Sequence, residues 1–272
     1  MTTRPPHVDW LTATTNKLLT SDGLEVPLWR LTYDFDHPTF DSWATHFRQN
    51  YCEDAKIDSL RNGTNLTRAE YLLQLRFPHA TDSGGPSIRS GDFAEILIAD
   101  YLEWHVGLEV PRMRWNAKMI PNESSKGSDV VGFKFSLDGD RSADLLTIFE
   151  VKASLSSKKN SGQFASAVDH SAKDQLRIAA SLNYLKQRYT DANNDEQSAK
   201  IARFQSFVDF PFQRTFGAAA IYSSGAFDEA QVTDVEASTH PNFTDLQALL
   251  ITGDDLMDLA HALYERAANE TW

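Results

Sequence analysis

The run Leu145-Leu146-Thr147-Ile148-Phe149 passes without a break into Glu150-Val151-Lys152. So dense a stretch of aliphatic and aromatic side chains suits a buried β-strand. Alternation along such a strand puts Glu150 and Lys152 on one face and Val151 on the other. A carboxylate and an ammonium are thereby carried to the end of a strand whose body belongs in a core.

The order of elements around this strand sets the fold class. After the turn-rich stretch Thr81-Asp82-Ser83-Gly84-Gly85-Pro86-Ser87, a helix is expected, capped by Ser90 or Asp92, with Phe93, Ile96, Leu97, Tyr101 and Trp104 at helical spacing and Gly107 at its end. Three strands are then expected, at Arg112 to Lys118, Asp129 to Phe135 and Leu145 to Lys152, the last two joined by a hairpin at Asp138-Gly139. A long helix over about Ala165 to Tyr189 and an apolar strand at Phe216 to Tyr222 follow, and a helix at Asp255 to Ala268 closes the chain. Helix, three strands, helix, strand is an α/β order, expected to form a sandwich with a mixed sheet. Residues 1–80 read as an α+β extension packing on a core at 81–272, with strand-like alternation at Trp29 to Phe35 and helices at Pro38 to Tyr51 and Thr67 to Leu75.

If the two strands form a hairpin, Asp129 and Glu150 come out at the same end of the sheet as near-neighbours. Two carboxylates that close repel unless a cation lies between them. Oxygen donors with retained water are what Mg²⁺ prefers, and Mn²⁺ can substitute. A metal held there polarises a phosphate oxygen and acidifies a water, while Lys152 stabilises developing negative charge. A Glu-x-Lys tripeptide alone is a weak signal, since an exposed strand end with a surface ion pair gives the same letters. The apolar strand before it, the acid on the preceding strand and Glu95 on the first helix make the combination specific.

These residues resemble the PD-(D/E)XK nuclease superfamily over about half the chain, Ser90 to Ser223. The resemblance implies a restriction-endonuclease-like core, with Asp129 as first acid, Glu150 and Lys152 as the (D/E)XK half-motif, and Glu95 as the helix acid. Ser128 stands where the motif name has proline, a position that varies. More narrowly, Gly91-Asp92-Phe93-Ala94-Glu95, the stretch Pro121 to Phe133, and Phe149-Glu150-Val151-Lys152 resemble HamA, the nuclease subunit of the Hachiman antiphage system. That resemblance implies a Mg²⁺-dependent DNA endonuclease, restrained by a superfamily 2 helicase partner until aberrant DNA is sensed. It also leads us to consider Lys173 and Gln175, on the helix after Lys152, as DNA-facing residues. Lys126, in a loop with Asn122, Ser124 and Ser125, could hold a phosphate through backbone N–H groups and its own charge.

The net charge of −12 runs against DNA binding at first sight. The cations are concentrated, however: Pro111 to Lys134 has five Lys/Arg against two acids, and Val151 to Thr190 has seven against two. Gly225 to Trp272 has ten acids and one arginine. A basic zone in an acidic protein suits a DNA groove of limited affinity, or a solvated face. Lys158 and Lys159 are placed in the loop after the Glu-x-Lys strand.

Other chemistry is not indicated. The single Cys52 allows no internal disulfide and no cysteine zinc site, which with the absence of a signal-like N-terminus or a membrane-spanning apolar run suggests the cytoplasm. The histidines are scattered without ligand spacing, so a zinc or His-metal nuclease is not expected. Asp138-Gly139-Asp140 lacks the further acids of a Ca²⁺ loop, and no phosphate-cradling Gly-rich loop is present. Two alternatives stay open: a binding or scaffold subunit without catalysis, and a narrowly specific restriction or junction nuclease.

Overall fold

The computed structural model describes residues 3–156 and 162–269. Lys158 and Lys159 lie outside the described residues. The first strands are β1 (Leu11–Leu19) and β2 (Glu25–Leu31), followed by α1 (Pro38–Gln49), α2 (Asp54–Arg61), α3 (Arg68–Tyr71) and α4 (Gly85–Tyr101). Next come α5 (Met113–Asn116), β3 (Val130–Lys134), β4 (Leu145–Ser154), α6 (Gln163–Ser171), α7 (Asp174–Asp191) and α8 (Asp195–Ala202). β5 (Gln213–Ser223), α9 (Ala230–Thr233), β6 (Leu246–Gly253) and α10 (Leu256–Asn269) complete the described chain.

Six strands form one mixed sheet in the order β1-β2-β6-β5-β4-β3. β2, β6, β5 and β4 run parallel, and β1 and β3 close the two edges antiparallel. Helices cover both faces, as a sheet with a parallel centre requires. One apolar cluster joins Phe149, Val151, Ala219, Ile221, Leu249 and Ile251 to α1, α4 and α10. The other joins Leu146, Ile148, Phe216, Ala218 and Ala220 to α6, α7 and α9. The inward side chains of β4 and β5 thus alternate between two cores. β1 and β2, from the segment 1–80, enter the same sheet beside β6, and α1 packs on α10.

Several expectations need correction. The helix before the site starts at Gly85, not at Ser90 or Asp92: Gly84 is its left-handed N-cap (φ 82°) and Pro86 sits in its first turn. Gly107 does end it, after a π-helical turn at Leu102–Val106. Arg112 to Lys118 is not a strand. It contains the short helix α5, and the pairing on that side of β3 is one isolated bridge between Glu109 and Phe133. Arg112 is the N-cap of α5, Arg114 lies within it and Lys118 follows it, and all three reach buried acids of α4. The long helix of the sequence reading is two helices, broken between Ser171 and Asp174. β1, β6 and α8 were not anticipated. Ala248-Leu249-Leu250-Ile251 is a continuous apolar run of the kind a central parallel strand carries, and is the sequence signal for β6.

Packing beside Glu150 is tight. A Cβ added at Gly217, on β5, would lie 2.4 Å from ring carbons of Phe149, its register partner on β4. Gly217→Ala is expected to lower stability by about 1–3 kcal/mol by overpacking, read from the midpoint of a urea melt.

Candidate functional site

β3 and β4 bring the two acids together. Val130 pairs with Phe149, so Asp129 lies one position beyond the last pair, opposite Glu150. Asp129 Oδ2 accepts the Val151 N–H at 3.0 Å, which ties the acid to the strand that carries Glu150 and Lys152. Lys152 Nζ donates to Glu150 Oε1. Glu150 is buried while Lys152 stays partly open to solvent. Burial raises the Asp129 pKa, the nearby Glu150 charge raises it further, and Arg114, the Val151 N–H and Lys152 oppose the rise.

Glu95 meets the pair through a side chain that sequence reasoning assigned to a strand. Arg114 Nε donates to Glu95 Oε2 at 2.8 Å, and its Nη2 donates to Asp129 Oδ1 at 3.0 Å. The same guanidinium donates to the carbonyls of Ser128 (2.7 Å), Ser125 (3.1 Å) and Lys126 (3.3 Å). Glu95 is pushed up to about 8, chiefly by burial, with Asp129 and Asp92 adding and Arg114 opposing. Glu95, Asp129 and Glu150 do not close into a single tight ligand group: among the described residues, the one His/Cys/Asp/Glu trio whose ligand atoms lie within 4.8 Å is His7, His46 and Asp100.

Arg114 belongs to a larger pattern. From Asp92 to Asp100 helix α4 is wholly buried, yet this stretch carries Asp92, Glu95 and Asp100. A buried acid needs a partner. The segment after α4 supplies a cation to each: Lys118 to Asp92 (2.6 and 2.5 Å), Arg114 to Glu95, and Arg112 to Asp100 (2.8 Å). Three of the five cations in the first basic stretch are thus held in internal ion pairs rather than forming a groove for DNA. Lys126 lines a cleft of about 440 Å³ between this segment and α7, together with Trp115, Met119, Asp129, Ser181 and Tyr184. Its backbone carbonyl accepts from Arg114, and no hydrogen bond or ion pair of its side chain to the acid pair is seen.

The α6–α7 break adds residues that the sequence did not single out. His170 Nδ1 lies 3.3 Å from Glu150 Oε1, and Arg177 Nη1 lies 3.5 Å from Glu150 Oε2. Lys152, His170 and Arg177 therefore surround one carboxylate, each partly exposed to solvent. Lys173 and Gln175, expected on this face, are exposed and make no contact with the acids; Gln175 accepts from Asn242 at 3.4 Å. The reason is helical phase: Arg177 follows Asp174 by three residues and shares its face, whereas Lys173 and Gln175 are turned away.

Asp174 is fully buried, with Arg177 3.8 Å away. Burial pushes its pKa from 3.8 to about 7, helped by the charges of Glu150 and Asp129 and opposed by the Ser128 hydroxyl and Arg177. Because the folded value is the higher one, the folded state binds the proton more tightly than the unfolded chain. Ionisation then costs stability, progressively from about pH 4 to about pH 7 and in full above that. Asp174→Asn is expected to stabilise the protein at pH 8 by more than about 1 kcal/mol and to change little at pH 4. Thermal melts of both proteins at the two pH values check this.

Fold and site together define a mixed α/β protein with two acids and a lysine where the start of β3 meets the interior of its antiparallel neighbour β4. The chain belongs to the HamA family, whose model matches residues 5–267. That family is a component of Hachiman antiphage defence. No curated protein matches the sequence. Among the described residues, no helix is long and apolar enough to cross a membrane.

Proposed function

We propose that this protein is a Mg²⁺-dependent DNA endonuclease with a restriction-endonuclease-like core, acting in the cytoplasm as the effector of a Hachiman complex with a superfamily 2 helicase. The observation that carries this reading is the placement of Asp129 opposite Glu150, with Lys152 bound to Glu150. The order of helix α4, strands β3 and β4, helices α6 and α7 and strand β5 supports this reading, although an isolated Glu109–Phe133 bridge takes the place of the third strand expected before β3.

Asp129 and Glu150 suit a hard divalent cation, since both offer carboxylate oxygens and their mutual repulsion is what a dication relieves. Bound there, Mg²⁺ would supply Lewis-acid stabilisation at the scissile phosphate and a more acidic water. Glu95 would join them only on releasing Arg114. Lys152 is positioned to hold a water or a phosphate oxygen through Nζ. Arg177 and His170, which approach the two oxygens of Glu150, are positioned to receive the flanking phosphate.

The direct test incubates the chain, alone and co-expressed with the helicase, with unmodified plasmid and linear DNA. Cleavage is expected with Mg²⁺ or Mn²⁺ and is expected to vanish in excess chelator. A smear supports broad degradation, and discrete bands support the narrowly specific alternative. A second reading, a non-catalytic DNA-binding subunit, is favoured by the Arg114 bridge, which already occupies an oxygen of each of Glu95 and Asp129. It predicts no metal-dependent cleavage in either preparation.

A further inference from the structure

Outside the Asp129–Glu150 pair, three segments far apart in sequence meet at one buried carboxylate. His7 lies in the 3₁₀ turn Pro6–Trp10, His46 on α1 and Asp100 near the end of α4. His7 and Asp100 are each 2% exposed and His46 is 25% exposed. His7 Nε2 is 3.1 Å from Asp100 Oδ2, and His46 Nε2 is 2.8 Å from Asp100 Oδ1. The ligand atoms of all three lie within 4.8 Å of one another.

We propose that His7, His46 and Asp100 form a structural zinc site that fastens the N-terminal segment to α1 and α4. Two imidazoles and one carboxylate are a donor set that Zn²⁺ accepts, with water in the fourth position. Ligand atoms on bonds of about 2.0 Å at tetrahedral angles stand roughly 3.3 Å apart, close to the separation between His7 Nε2 and Asp100 Oδ2. The partly exposed side of His46 leaves an opening for the water.

The surroundings hold the ligands in place. The His7 ring stacks on Trp43, with centroids 4.9 Å apart and planes 7° from parallel. His7 Nδ1 has no hydrogen-bond partner, so stacking sets the ring's orientation where a second-shell acceptor usually would. Arg112 Nη2 lies 2.8 Å from Asp100 Oδ1, the oxygen already shared with His46, and leaves Oδ2 to the ion. Glu103 pairs with Arg112, so the guanidinium adds little net positive charge beside the site.

The rival reading is a hydrogen-bonded His–Asp–His cluster without metal, and elemental analysis separates the two. Full-length protein, exchanged into chelator-treated buffer and supplied with one equivalent of Zn²⁺, is passed through gel filtration and analysed for bound metal. About one zinc per chain is expected, with a raised Tm relative to metal-free protein. His46→Gln and Asp100→Asn should retain less than about a tenth of that zinc, while Glu150→Gln should retain all of it. If the His46 and Asp100 variants fold poorly, the wild-type metal content and Tm shift still decide. Less than about 0.1 zinc per chain with no shift in Tm overturns the site. Full retention of zinc in a folded His46→Gln protein overturns it equally, by placing the ion elsewhere.

Discussion

Replacing Lys152 with alanine is expected to reduce DNA cleavage by at least about 100-fold, or roughly 2.7 kcal/mol of transition-state stabilisation. The ammonium is joined to Glu150 and partly open to solvent, so its loss removes positive charge where a phosphate would sit without opening a core cavity. Asp129 and Glu150 remain to bind metal, so added Mn²⁺ should not restore activity. Glu150→Ala should abolish cleavage by weakening metal binding, and excess Mn²⁺ should recover a trace. Lys134→Ala is the control: it removes an exposed cation at the far end of β3, where Lys134 pairs with Leu145. Single-turnover cleavage at two metal concentrations, with a thermal melt of each variant, makes the comparison. Wild-type cleavage by Lys152→Ala, with loss of cleavage in Lys134→Ala, would sink the site assignment.

Arg114→Ala is expected to have the largest effect on stability, a loss of about 3–5 kcal/mol. Arg114 is mostly buried and donates to two carboxylates and three carbonyls, so truncation leaves Glu95 and Asp129 without their shared cation and frees the Ser125–Ser128 loop. A fall in Tm on the order of 10 °C is expected at low ionic strength. Arg114→Lys should recover only part of it, because one ammonium cannot reproduce a fork that spans Glu95 and Asp129. Divalent cation added to Arg114→Ala should restore some of the lost Tm by bridging the same acids. If truncation leaves Tm within about 2 °C of wild type, Arg114 is not the brace of this site.

The behaviour of these two residues follows from how each was encoded. Lys152 was legible because a strand has a fixed period of two: once Leu145 to Phe149 is taken as a buried strand, the common face of Glu150 and Lys152 follows. Asp129 was legible because the hairpin between β3 and β4 makes the register a matter of counting. Arg114 was not, although its residue type was in plain view. Arg112, Arg114 and Lys118 pass equally for an alternating strand or a basic surface, and only the neighbouring α4 acids turn them into internal counter-ions.

Position on a helix posed a similar limit. Lys173 and Gln175 were reasonable from the sequence, but the break between α6 and α7 resets the helical phase and turns His170 and Arg177 towards Glu150 instead. His7 and His46 stand far apart in the chain and show no ligand spacing, yet the packing of α1 and the N-terminal turn on α4 closes them onto Asp100. By itself the sequence determined the α/β class, the buried strand β4 and the Asp129–Glu150–Lys152 group, because local periodicity and one hairpin register suffice for these. Only the tertiary structure decided which cation faces which acid, since such a pairing depends on the relative placement of whole elements, set by burial over two cores rather than by residues adjacent in the chain.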